Sequence, residues 1–309
     1  MVGMRTVAVV VGVFLGACGG GGDGATGDGA AGGDAPRTGD GAGPGSDAPS
    51  PPGAFPNAEN TGVPAGTVLT DYVGPCTITE DGTTIDAQRV NCSLRILAAN
   101  VTIMRSEIHG TVNNDADGQT FTIEDSYVDA GQGEGTAVGN VDFVARRLHL
   151  VGGNRSALCT RCTIEDSFVH GQFRDETGTF HESGIRMDQG STIRHNSILC
   201  DAPDVPPDAG CSADLTGYGD FAPVENNLIE GNLFMATTGG FCAYGGSSAG
   251  KPYSDDANNI KFRNNVFQRR TDDGARGCGY YGSVTDFDPS KPGNEWTNNT
   301  YEDGEVIEP

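Results

Sequence analysis

Apolar residues recur along this chain in short alternating bursts parted by Gly, Asn and Asp, not in helical stripes. VTIMRSEIHG at 101, FTIEDSYVDA at 121, VDFVARRLHL at 141, CTIEDSFVHG at 162 and STIRHNSILC at 191 align with one another. NLIEGNLFMA at 227, NIKFRNNVFQ at 259 and EWTNNTYEDG at 295 follow with small register shifts. Their shared apolar positions are Ile103, Ile123, Phe143, Ile164, Ile193, Ile229, Phe262 and Trp296, at intervals of 20, 20, 21, 29, 36, 33 and 34. A short period that later lengthens marks a stacked solenoid with loops inserted on some turns. No stretch carries a 3.6-residue period, and a unit near 20 residues is too short for a strand, a helix and two loops. The pattern therefore predicts an all-β chain, a right-handed single-stranded parallel β-helix of about nine to ten coils, each rising about 4.8 Å.

Three columns follow from this alignment. Three residues past the apolar position stand Ser106, Ser126, Arg146, Ser167, Asn196, Asn232, Asn265 and Asn299, a bend where side-chain amides would stack. Two residues further, Ile108, Val128, Leu148, Val169, Ile198, Phe234, Phe267 and Tyr301 would line the core. Next to them His109, Asp129, His149 and His170 would form one column about 5 Å apart per step. An imidazole flanked by a carboxylate and a second imidazole suits general-base work or metal binding, whereas a solvated polar column is the plainer alternative. The lengthened coil after His170 would bring Asp175, Glu176, His181 and Glu182 towards that column, followed by Arg186 and Asp188.

Composition separates the body from its leader. Residues 19–53 hold 14 Gly and nothing more apolar than Ala or Pro, so they cannot bury enough surface to offset ordering entropy and read as a tether. The chain carries −23 overall; discounting the tether (−4) and Arg5 leaves the body at −20, which opposes nucleic acid. Ahead of the tether, Val7 to Leu15 is an apolar run too short to span a bilayer. Leu15-Gly16-Ala17-Cys18 resembles the bacterial lipobox, which implies a signal peptide over 1–17, lipidation at Cys18, a linker over 18–54 and a body over 55–309. The implied location is the bacterial cell envelope, with membrane contact through the lipid anchor only.

Eight further cysteines suit an oxidising compartment. Eight cysteines allow 105 pairings; spacing suggests Cys76 with Cys92, Cys200 with Cys211 and Cys242 with Cys278, leaving Cys159-x-x-Cys162, read as a structural bridge in preference to a redox or zinc pair. No metal site is assigned; Asn113 to Glu124 has the spacing of a calcium loop with Asn in place of the first Asp, which allows Ca²⁺, but no helix flanks it and a polar turn is the preferred reading.

From Phe55 to Pro309 the chain resembles secreted parallel β-helix proteins of the pectate-lyase-like superfamily, through FPNAENTGVPAGTVLT at 55, GTTIDAQRVNCSLRILAANVTIMRSEIHG at 82, HESGIRM at 181, VENNLIEGN at 224, GGFCAYGG at 239 and EWTNNTYEDGEVIEP at 295. The resemblance implies the fold and a polysaccharide-related role. HESGIR is similar to the His-x-Asp-x-x-Gln stretch of many relatives, but Ser183 and Arg186 replace the Asp and Gln, so only His181 carries over. Two functions are expected. The first is a monomeric module binding a polysaccharide or cell-surface partner. The alternative is a polysaccharide lyase or glycoside hydrolase on a uronic-acid glycan, with His149, His170, His181 and Glu182 as catalytic candidates. Asp129, Arg186, Arg194 and Tyr244 are the substrate-binding candidates, and Tyr253, Tyr280 and Tyr281 are further stacking surfaces.

Overall fold

A computed structural model describes residues 54–271 and 277–309; the lipidation expected at Cys18, the leader and the linker to Gly53 lie outside them. Among the described residues, 28 strands form three sheets. The first sheet has ten strands, from Thr70–Asp71 to Thr300–Tyr301. The second has nine, from Thr77–Ile78 to Val284–Thr285, and the third has nine, from Thr84–Asp86 to Glu295–Thr297. The chain visits the sheets in turn, and every strand pairs parallel with its counterpart one coil on. This is a right-handed parallel β-helix.

The strands are short because each coil must bend twice. The residue that leaves the third sheet is left-handed on coil after coil: Arg105 (φ 47°), Asp125 (49°), Arg147 (51°), Asp166 (53°), His195 (52°) and Asn264 (54°). Outside glycine this conformation costs roughly 1–2 kcal/mol. Hydrogen bonds at the next residue offset it. Ser167 Oγ accepts the Leu148 N–H (3.0 Å), Asn196 Oδ1 that of Ser167 (2.9 Å), Asn232 Oδ1 that of Asn196 (3.0 Å), and Asn265 Oδ1 that of Asn232 (2.9 Å). On the outer side Arg147 binds Asp125 and His195 binds Asp166, each side chain meeting the bend residue of the preceding coil.

The core column is Ile103, Ile123, Ala145, Ile164, Ile193, Ile229, Phe262 and Trp296. Ala145, not Phe143, holds the third place. Phe143 pairs one pleat earlier with Phe121, their rings stacked at 5.1 Å, because this coil carries two extra residues. The slip propagates: Leu148 replaces Arg146 in the bend ladder, Leu150 replaces Leu148 in the core, and Val151 replaces His149 beside Asp129. Arg146 instead reaches Glu124 and Glu165 on the outer face of the third sheet.

Four disulfides close as the spacing suggests, Cys76–Cys92, Cys159–Cys162, Cys200–Cys211 and Cys242–Cys278. They point to an oxidising, extracytoplasmic location.

Candidate functional site

The four-residue His/Asp column does not form as aligned. His109 pairs with Asp129, but His149 pairs with Tyr127 and Phe168, and His170 pairs with Val151. The two imidazoles still meet diagonally, Nε2 to Nε2 at 2.7 Å, with Phe168 stacked on His170 at 4.3 Å. Gly62 lies over His149, where a Cβ would come within 3.1 Å of the histidine Cβ, and its N–H bonds the Arg147 carbonyl at 2.9 Å. Burial lowers the pKa of both rings, and His170 adds to the effect on His149, so the pair is held uncharged.

His181 belongs to the second sheet, so the three histidines occupy two different sheets. The insertion after His170 folds on itself: the buried Asp175 carboxylate accepts the N–H groups of Thr177, Thr179 and Phe180, while Glu176 pairs with Arg174. Asp129 accepts the Gly131 N–H on the first sheet, and Arg194 pairs with Glu165 on the third.

Glu182 does not partner His181. His181 Nε2 lies 3.3 Å from Asp208, whereas Glu182 is buried, with Oε2 accepting the Gly210 N–H at 3.0 Å and Oε1 left without a partner. Burial first, then the charge of Asp175, pushes its carboxyl up to about 7 from an ordinary 4.5. The folded chain thus favours the protonated acid: this contribution is complete below about pH 4.5 and is lost as pH rises through 7. That shift corresponds to about 3 kcal/mol. Denaturant unfolding between about pH 4 and pH 8 is expected to show wild type losing that much more stability than Glu182→Gln. Parallel pH profiles for the two proteins exclude the assignment.

What does come together lies on the outer side of the second sheet. The strands Arg155–Cys159, His181–Met187, Gly210–Thr216 and Ala243–Tyr244 and the loops after them enclose a cleft of about 250 Å³. His181, Arg186 and Tyr244 line it, joined by Arg155, Tyr218 and Lys251. Arg186 binds Asp220 (3.2 Å) and Asp188 (3.4 Å), Lys251 binds Asp220 (2.8 Å), and the Arg186 guanidinium lies 5.4 Å from the Tyr218 ring centre. Arg155 is different. Its Nη2 donates to Asn154 Oδ1 at 3.0 Å, and among the described residues it makes no ion pair. Burial, then the charge of Arg186, pushes its pKa down. Thr216, paired with Arg186 across the neighbouring strand, is 1% exposed and its hydroxyl is enclosed without a hydrogen-bond partner. Burial likewise pushes the phenols of Tyr218 and Tyr244 up, keeping them neutral donors. Chemically, the cleft offers an incompletely neutralised guanidinium and the phenols of Tyr218 and Tyr244 to a ligand that is anionic and rich in hydroxyl groups.

The sequence reading missed Arg155, Tyr218, Asp220 and Lys251. The signal was the jump in repeat interval after Ile164, since the cleft is built where coils lengthen and loops rise beside the second sheet. The calcium spacing does not become a calcium site: Asp115 faces Arg95, Asp117 faces Arg161, and Glu124 faces Arg146 and Arg147, so the carboxylates turn to separate guanidiniums. Asn114 is spent on the backbone of Gln119, Asn140 and Val141. Among the described residues, Asp214, Cys242 and Cys278 form the one group close enough to hold a metal, but the sulfurs are joined as a disulfide.

Compared with known proteins, the chain matches no family model, and no curated protein or solved structure matches it. Fold and site therefore rest on strand pairing and side-chain geometry.

Proposed function

We propose that this protein binds an acidic polysaccharide in the second-sheet cleft, as a lipid-anchored component of the bacterial cell envelope. The observation that carries the binding reading is Arg155, a largely buried cation without a carboxylate partner, lying in an open cleft of a chain with net charge −23. Such an arrangement is costly unless an anion completes it. Phenol donors around it, with exposed Phe221 5.8 Å from Arg186, suit a sugar ring bearing a carboxylate. The resemblance to pectate-lyase-like proteins supports a glycan as ligand, and the lipobox-like Leu15-Gly16-Ala17-Cys18 with its glycine-rich tether supports the anchor.

A lyase or hydrolase reading draws on one contact, His181 with Asp208 at the edge of the cleft. Titration calorimetry against uronate-containing and neutral glycans, run beside an assay for unsaturated uronates and new reducing ends, separates the readings. The expected result is salt-sensitive binding of an acidic glycan without cleavage, weakened about tenfold or more by Arg155→Met and by Lys251→Ala, a loss of about 1.4 kcal/mol. Equal binding of neutral glycans, or no effect of either substitution in a folded protein, overturns the proposal. Cleavage abolished by His181→Ala establishes the enzyme instead.

A further inference from the structure

The cationic cleft is one of three hollows in a row. His181, Ser212 and Tyr244 are shared with a second hollow of about 260 Å³, and Lys251 is shared with a third of about 590 Å³. Residues of the 260 Å³ hollow fall at or before the starts of the strands Gly210–Thr216 and Ala243–Tyr244. Those of the 590 Å³ hollow follow Ala243–Tyr244 and Val284–Thr285. The three hollows thus follow one another along the strand direction, joined by these shared lining residues.

Charge is not uniform along this row. The middle hollow holds Arg155, Arg186 and Lys251 against Asp220. On one side the lining has Asp204 and Asp208 and no Lys or Arg, with the aromatic rings of Phe241, Tyr244 and Tyr281. On the other, Asp255, Asp286 and Asp288 outnumber Lys251 and Lys291. A polyuronate would set its central carboxylate on Arg155 and drive its neighbours against these aspartates, where like charges repel across a short gap.

Building on the proposed binding of an acidic glycan, we propose that the ligand is a mixed glycan in which each uronate is flanked on both sides by neutral sugars. The central uronate occupies the Arg155 hollow. A neutral ring stacks on the aromatic side next to Asp204 and Asp208, whose oxygens accept from its hydroxyl groups, and a second neutral ring lies towards Asp286.

The test uses the full-length protein with three hexasaccharides in calorimetry: an alternating uronate and N-acetylhexosamine chain, an oligogalacturonate, and a neutral β-glucan. The alternating chain is expected to bind at least about tenfold more tightly than either of the others. The doubly neutralised variant Asp208→Asn/Asp255→Asn changes two side chains that are largely solvent-exposed. It is expected to raise the ratio of oligogalacturonate affinity to alternating-chain affinity about threefold or more. Oligogalacturonate binding as tightly as the alternating chain, with or without added Ca²⁺, or an unchanged affinity ratio in the variant, overturns the mixed-glycan inference and leaves acidic-glycan binding standing. Equal binding of the neutral glucan, or binding of none of the three, overturns both.

Discussion

Replacing Asn232 with alanine is expected to lower the unfolding free energy by about 3–4 kcal/mol. The side chain is fully buried and works in both directions along the bend. Its Oδ1 accepts from Asn196 N and Asn196 Nδ2, both at 3.0 Å, and its Nδ2 donates to Ile193 O at 2.9 Å and to Asn265 Oδ1 at 3.0 Å. Truncation strands the Asn196 N–H beneath a coil that excludes water, and one such orphan costs about 1–3 kcal/mol before the lost volume is counted. Serine at this position is expected to recover part of the loss. Ser167 shows that a hydroxyl can take the N–H of the preceding coil, but Oγ is too short to reach both neighbours as an amide does. Urea unfolding of wild type, Asn232→Ser and Asn232→Ala checks the order; an alanine variant within about 1 kcal/mol of wild type removes the ladder from the account of stability.

The double variant Cys242→Ser/Cys278→Ser is expected to lose about 4 kcal/mol by the chain-entropy relation for its 36-residue separation, whereas Cys159→Ser/Cys162→Ser, separated by three residues, is expected to lose about 1.5 kcal/mol. Three of these four cysteines are wholly inaccessible and Cys162 is nearly so, so serine exchanges a sulfur for a buried hydroxyl in both cases and loop length is the main difference. The long bridge also joins two of the lengthened coils, next to the strand Ala243–Tyr244 that lines the cleft. Its loss is therefore expected to weaken ligand binding as well as stability, while loss of the short bridge leaves binding unchanged. Thermal unfolding with calorimetric titration of both variants reads the two effects; equal losses for the two bridges contradict the assignment.

Much of the architecture was legible because its cause is local and repeated. An apolar residue in each third-sheet strand, a left-handed bend after it and, on most coils, a serine or asparagine ahead of the next strand recur as the chain returns to the same place. Seven of the eight aligned apolar positions stack as expected. The failure at Phe143 is equally instructive. Both Phe143 and Ala145 are buried, so hydrophobicity alone favoured the larger residue, and only the ring stacking of Phe143 on Phe121 resolves the register. Because side chains alternate with a period of two, that slip carried His149 to the neighbouring place on the same face, beside Tyr127 instead of Asp129.

The sequence by itself determined the coil: its period, its all-β character and the bend chemistry. Each of these depends on residues close in the chain or on a repeated spacing. The cleft was decided by tertiary structure. Arg155, Arg186, Tyr218 and Lys251 sit on different coils or on loops of unequal length, and nothing periodic links their positions. They meet because parallel stacking sets the strands Arg155–Cys159 and His181–Met187 side by side and the loops beyond them rise over the same face. Glu182 shows the same division, adjacent to His181 in the chain but turned from its cleft into a buried site of its own. Proximity in a solenoid is set by the pairing between coils, and a sequence records that pairing only where the repeat is unbroken.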